Sequence, residues 1–304
     1  LENLIWDNRL GPSDSGSGNS VWSTGASDPL NWAGQTNPTL KSNLIFNSTY
    51  VTTAQNIDVT GSDKVITNMY LSGANGYSLS TSEARKLIFD STTVGGLTAI
   101  NLTNDAFGNA AHTIGLDVQM NRNLDVNNNI APTFTISGNI DNGGNILSLK
   151  GTGTTVLAGT VSGTGALVKA DSGTTRLTAN NTYSGGTTIA DGTLRAEAQS
   201  ALGAVSGTVT VASGATLALA GTGDISYGAN ALTLNGAGVS SAGALTTVAG
   251  VSGNKTWTGT VDLASSSSIG AAAGTLLTVS GIVSGSGVLT KVGDGTLSLT
   301  ATNT

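Results

Sequence analysis

The residues of this chain that could do chemistry are few, and their spacing decides what each can do. Ser15, in Ser13-Asp14-Ser15-Gly16-Ser17-Gly18, has the neighbours of a serine-protease nucleophile. That chemistry needs a histidine to take the hydroxyl proton and an aspartate to orient it. The chain has one histidine, His112, which follows the serine, whereas proteases built on this loop have it first. The segment therefore reads as a flexible loop. His112 itself, after Gly108-Asn109-Ala110-Ala111, reads as a turn residue, since a metal site would need a second His or a Cys beside it. Asp117, Asp125, Asp141, Asp171, Asp191, Asp224, Asp262 and Asp294 come one to a segment. Glycoside cleavage needs two carboxyl groups facing one bond; no pair here shares an evident face, so each reads as a solvated turn. Gly221-Thr222-Gly223-Asp224 and Gly293-Asp294-Gly295 occur singly, while a calcium-binding Gly-rich nonapeptide needs consecutive copies. Gly163 and Gly165 lack the Lys-Ser/Thr and helix of a phosphate loop. Lys169 and Lys291 recur at one repeat position and read as stacked corner residues. The expectation is no catalytic, cofactor-binding or metal-ligating residue, no cofactor, and no enzyme.

The elements that carry these residues are organised around Val161–Gly203, where short runs of an apolar residue followed by Thr, Ser or another small residue alternate with turn clusters. Half-buried strands read this way. The first half of the stretch returns at Val283–Thr304, displaced by 122 positions without a gap, and 13 of 22 positions are identical. Gly163/Gly285, Lys169/Lys291, Gly173/Gly295 and Leu177/Leu299 are among them, so this is a repeat. A looser copy occupies Ile136–Gly159. Leu157, Leu177, Leu194 and Leu217 are 20, 17 and 23 positions apart. About 20 residues per circuit gives on the order of 15 rungs and, at about 4.8 Å per strand, a rod of roughly 70 Å. Apolar side chains are expected to fill a continuous aliphatic interior, with Thr and Ser facing water.

Asn181-Thr182-Tyr183-Ser184-Gly185-Gly186-Thr187-Thr188-Ile189, followed by Gly192-Thr193-Leu194 and Ala201-Leu202-Gly203, resembles the passenger-associated transport repeat, also called the autotransporter-associated β-strand repeat. The resemblance covers about forty residues and part of a second copy at the C-terminus. It implies a right-handed parallel β-helix displayed outside a Gram-negative cell and exported through a C-terminal barrel domain. The family's β-helices carry adhesins, proteases and inert stalks alike, so fold gives little about activity.

Composition agrees with stacked strands. There are 43 Gly in 304 residues, 10% charged and 4% aromatic residues, and no cysteine. Such a composition does not build many amphipathic helices, which need Leu, Ala, Glu and Lys on alternating faces. A mean hydropathy of +0.11 with so few charges is not that of a disordered linker. A net charge of −6 with 12 scattered Lys and Arg disfavours nucleic acid, which needs a clustered cationic footprint. Without cysteine there are no disulfides and no thiolate chemistry. No apolar run approaches the roughly 20 residues that span a bilayer, so this segment is not membrane-spanning.

Residues 1–49 hold Trp6, Trp22 and Trp32 with Pro12, Pro29 and Pro38. Large aromatics among irregular turns suit a plug over the end of a stack, so this region is expected to be an N-terminal cap. Residues 50–304 are expected to form the β-helix, with repeat-type rungs from 136 to 304. Ser82–Lys86 could make one helical turn. The opening at Leu1 without Met suggests a removed leader or a trimmed piece. The fold class is thus all-β, a right-handed parallel β-helix with an N-terminal cap. The expected role is an extracellular structural or adhesive surface element of a Gram-negative-type bacterium, passenger-like, serving display, adhesion or biofilm. Its partners would be other cell-surface or extracellular matrix components. A second expectation is a filament or sheath subunit polymerising through its ends, because the last repeat stops at Thr304; a β-helical carbohydrate-active enzyme is the third.

Overall fold

Strands of alternating character need a partner layer for their apolar side, and this chain supplies it by stacking on itself. In the computed structural model, the structure describes residues 63–72, 76–91, 96–103 and 110–304, together with the backbone of the strands Asn3–Trp6, Asn19–Trp22, Ser42–Phe46 and Gln55–Val59. Strands of two to ten residues follow one another around three faces, and most pair in parallel with the strand one circuit earlier and one circuit later. The fold is a parallel β-helix. Among the described residues its only helical turn is a 3-10 turn at Val239–Ser241, and Ser82–Lys86 forms bends and the start of a strand.

On the first face one column of inward residues reads Val126, Leu149, Lys169, Ile189, Val211, Leu234 and Leu263, each beside the next. On the second face Thr155, Thr175, Leu194, Leu217, Leu245, Ile269 and Lys291 form another. The third face runs from Lys86–Phe89 through Asp117–Met120 and Ile140–Asp141 to Val161–Ser162. It breaks for two circuits and resumes as a separate four-stranded sheet from Ile225–Tyr227 to Thr296–Leu299. Within the break, loop hydrogen bonds keep the stacking: Thr182 N–H donates to Val161 O and Ala204 N–H to Tyr183 O.

The circuits are not uniform. Leu4 pairs with Leu44, 40 residues on, whereas Leu149 to Lys169 and Lys169 to Ile189 take 20 each and Leu234 to Leu263 takes 29. The rod has about ten circuits instead of the fifteen expected, because the 20-residue circuit holds only in its middle. The expected cap over 1–49 lies largely outside the described residues. Of it, Asn3–Trp6, Asn19–Trp22 and Ser42–Phe46 are placed, and each runs in parallel register with a later strand.

The 122-residue repeat is faithful locally and displaced globally. Strands Val161–Ser162, Leu167–Lys169 and Thr174–Leu177 correspond to Val283–Ser284, Leu289–Val292 and Thr296–Leu299. Yet the column above Leu167 passes through Thr187, Val209, Leu232 and Val261 to Val283. Five circuits therefore take 116 residues, and the remaining six equal the step from Val161 to Leu167. The second copy sits one face further around the rod. Its third-face strand becomes first-face, its first-face strand second-face.

The interior is mainly aliphatic, with Leu, Ile and Val fully buried along the rod, each contributing about 1.5–3 kcal/mol. It also holds polar side chains where an aliphatic filling was expected. Asn181, 3% exposed, accepts from Val161 N–H through Oδ1 at 2.7 Å and donates through Nδ2 to Ala201 O at 2.6 Å. It thereby ties three successive circuits at a corner where the backbone leaves the ladder. In the second copy Asn303 accepts from Val283 N–H at 2.8 Å. Glycines recur where corners touch: a Cβ on Gly281 would lie 1.9 Å from Gly259 O, and one on Gly259 would lie 1.9 Å from Asn230 O.

Asn181→Ala leaves a buried donor and a buried acceptor without partners, so it is expected to cost about 1–3 kcal/mol. Urea unfolding followed by far-ultraviolet circular dichroism checks this, with at least as large a loss expected at neutral pH for Asn181→Asp, which sets a buried carboxylate oxygen against Ala201 O.

Candidate functional site

Lysines at inward positions have a long stem that fills the lumen and an ammonium that must reach polar partners. The structure lets them do both, because each sits beside a corner. Lys169 is 2% exposed. Its Nζ donates to Ala170 O at 2.5 Å, to Asp171 O at 2.6 Å and to Asp191 O of the next circuit at 3.3 Å. Lys291, its repeat counterpart on the second face, donates to Gly293 O. Lys255 on the third face donates to Gly223 O at 2.7 Å, Ser252 O at 2.8 Å and Gly253 O at 3.1 Å. Corner stacking of Lys169 and Lys291 was expected; that a lysine plugs the lumen and caps the turn carbonyls was not. Burial pushes Lys169 down to about 8, against the pull of Asp171 and Asp191. Burial also lowers Lys64, with Arg85 acting in the same sense, and lowers Lys255.

The other residues singled out in the sequence stay apart. Ser13–Gly18 lies outside the described residues. His112 is buried in a strand and not in a turn, its ring stacked on Tyr77 with centroids 5.4 Å apart, and its Nδ1 accepts from Tyr77 N–H at 3.1 Å. The aspartates are mostly turn and ladder acceptors. Asp117 accepts from Asn139 N–H, Asp141 from Gly143 N–H, Asp171 from Gly151 N–H and Asp224 from Asn254 N–H, while Asp125 is 2.7 Å from Lys150 Nζ. Asp171 and Asp191 do meet at consecutive corners, around Lys169. Among the described residues no group of three His, Cys, Asp or Glu could hold a metal, and no helix is long and apolar enough to cross a membrane.

What the sequence reading missed is on the outer side of the second face. Arg176 and Arg195 stand in register on adjacent strands. Glu197 binds Arg176 through two hydrogen bonds, Nε to Oε1 at 2.7 Å and Nη2 to Oε2 at 2.8 Å, which holds that guanidinium even more firmly protonated. Arg195 Nε is 3.2 Å from the same Oε1, without the alignment of a hydrogen bond. The spacing of 19 between the arginines, close to one circuit, was the available signal.

Beside Arg195 runs a groove of 540 Å³. Its floor includes Thr174, Thr193 and Ala218 of the second face, and its wall is the loop that carries Val239, Ser240 and Ala242. The loop exists because the circuit from Leu217 to Leu245 takes 28 residues. It folds back over the sheet, where Thr216 Oγ1 donates to Gly243 O at 3.0 Å and accepts from Val239 N–H at 2.8 Å. The covered strand Thr216–Leu219 is consequently buried on both faces. Ser240 and Ser241 take φ of 50° and 59°, a left-handed conformation that costs a non-glycine residue about 1–3 kcal/mol.

Residues 167–196 and 289–304 match the family described as passenger-associated-transport-repeat. These two stretches are similar to passenger-associated transport repeats and make up 46 of the 304 residues. No curated protein and no solved structure matches the chain. The first matched transport repeat runs from the first-face strand Leu167–Lys169 to the second-face strand Thr193–Ala196, and so takes in Lys169, Asn181 and Arg195. The second opens at Leu289, one face further on, and takes in Lys291 and Asn303. Both matched stretches thus contain a lysine that donates to a turn carbonyl and a corner asparagine.

Because the folded chain favours neutral Lys169, the unfolded chain holds one more proton between pH of about 8 and the ordinary 10.5. Stability then rises with pH through that window. In urea titrations between pH 8 and about 9.5, wild type is expected to gain stability more steeply than Lys169→Met; Lys64 and Lys255 leave a smaller rise in the variant.

Proposed function

We propose that the chain is an extracellular, non-enzymatic passenger segment that holds its surface away from a Gram-negative-type cell and engages other cell-surface or matrix components in adhesion or biofilm. The observation that carries this reading is the occurrence of passenger-associated transport repeats within a parallel β-helix. Such a rod distributes its stability over many circuits, each pairing with its neighbours, and so stays stiff without disulfides. Among the described residues its outward positions are largely Thr, Ser and Asn, and aspartates such as Asp117, Asp141 and Asp224 are engaged with turn and ladder amides. Contact along a rigid polar surface is the work this architecture suits.

An antibody raised against the chain is expected to label intact cells of the source bacterium, and beads coated with the purified chain are expected to attach to those cells. Labelling that appears only after permeabilisation would overturn the extracellular assignment.

A further inference from the structure

The groove beside Arg195 combines features that the display of a rod does not require. Its floor is the outer side of a sheet whose backbone is paired in both directions, Thr174–Leu177 to Thr193–Ala196 and that strand to Thr216–Leu219. An extended peptide cannot add to it as a further strand, the commonest way in which a β-surface takes a peptide. What the floor offers instead is a ladder of threonine hydroxyls and methyls. Thr174 and Thr193 are in register at the strand spacing of about 4.8 Å, and Thr246 stands two circuits beyond Arg195 in the same outward column through Ala218. The groove crosses successive circuits, so an occupant lies along the rod.

The charge is specific. Arg176, Arg195 and Glu197 carry one positive charge in excess. Glu197 is 13% exposed, binds Arg176 through both carboxylate oxygens and has its Oε1 3.2 Å from Arg195 Nε, and the Arg195 guanidinium, 29% exposed, is the cation lining the groove. Asp191, near the Thr193 end, is engaged with the Gly192 amide and lies within the field of Lys169. A local cation in a chain of net charge −6 selects an anion. An arginine fork suits a planar carboxylate bound through two hydrogen bonds. Ser240, held in left-handed backbone at the groove wall, is the kind of strained residue that collects at ligand clamps.

We propose that this groove binds a linear, carboxylate-bearing glycan, with Arg195 receiving a uronate carboxylate, the threonine ladder meeting sugar hydroxyls, and Val239 and Val248 of the wall meeting the C–H faces of the rings. This goes beyond surface display and is tested on the purified chain, so its outcome is independent of where the chain is located.

The probe is a linear oligogalacturonate of roughly six sugars, long enough to follow the groove across several strands, titrated calorimetrically into the full 304-residue chain. Binding is expected, with affinity at least about tenfold weaker for the methyl-esterified probe and for Arg195→Gln, each of which removes one side of the charge-assisted pair. Arg195→Gln keeps the Arg176–Glu197 pair, and circular dichroism reports whether its fold is intact. Ala242→Trp, at an exposed wall position, is expected to abolish binding by filling the groove. The proposal is overturned if the oligogalacturonate does not bind, if a well-folded Arg195→Gln binds it unchanged, if Ala242→Trp leaves the affinity intact, or if an oligoglutamate of equal charge binds as tightly.

Discussion

Parallel backbone pairing between one circuit and the next is the constraint on which this molecule depends. A parallel ladder in register places each inward side chain over the inward side chain of the preceding circuit, so composition at one level dictates what the level above can accept. Columns such as Val126, Leu149, Lys169, Ile189 and Val211 are the result. The ladder also satisfies the backbone polar groups of every inner circuit, which no isolated strand of three or four residues could do. At corners the ladder stops, and free amides and carbonyls need other partners. Asn181, Asn230, Lys169 and Lys255 supply them from inside the lumen. A lumen that turns three times per circuit cannot be purely aliphatic, because each turn leaves carbonyls that only a side-chain donor or an adjoining turn can reach.

The three faces are chemically interchangeable, and the repeat demonstrates it. The same residues, Val-Ser-Gly at the start of a strand, a lysine two strands' breadth later and an asparagine one circuit on, form the same contacts on different faces in the two copies. Val161 meets Asn181 as Val283 meets Asn303, although the columns in which they stand differ by a third of a turn. Nothing in a strand of alternating apolar and small residues identifies its face. What it needs is a corner at each end and a like strand on either side. An irregular circuit, such as the one between Leu234 and Leu263, can therefore rotate all that follows without loss of packing.

Irregular circuits are also where the surface acquires character. The middle of the rod, at 20 residues per circuit, spends its length on strands and minimal corners. Extra residues between Leu217 and Leu245 have nowhere to go but outward, and they fold over the second face. This encloses the groove and buries Ala218, which would otherwise face water. Thr216 pins the loop from beneath with its hydroxyl, so the wall is held by the sheet it covers. Arg195 stands where that wall, the floor and the Arg176–Glu197 pair meet, so a repeat strand and an insertion shape this surface together.

The strand alternation, the turn clusters and the transport-repeat motif were enough to determine an all-β, parallel stack, because inward and outward roles alternate residue by residue and are written locally. The near-20-residue spacing of Leu157, Leu177, Leu194 and Leu217 likewise located the circuit in the middle of the chain. Circuit lengths elsewhere were not legible, since corners of different size share the same Gly, Ser and Asn vocabulary, and an estimate of fifteen circuits gave way to about ten. Which residues lie side by side was decided only in three dimensions. Lys169 between Leu149 and Ile189, His112 against Tyr77, and Arg195 beside Arg176 and a folded-back loop are neighbours across a circuit whose length varies. The physical reason is that register between circuits is the sum of every corner before it, a quantity carried by no single residue.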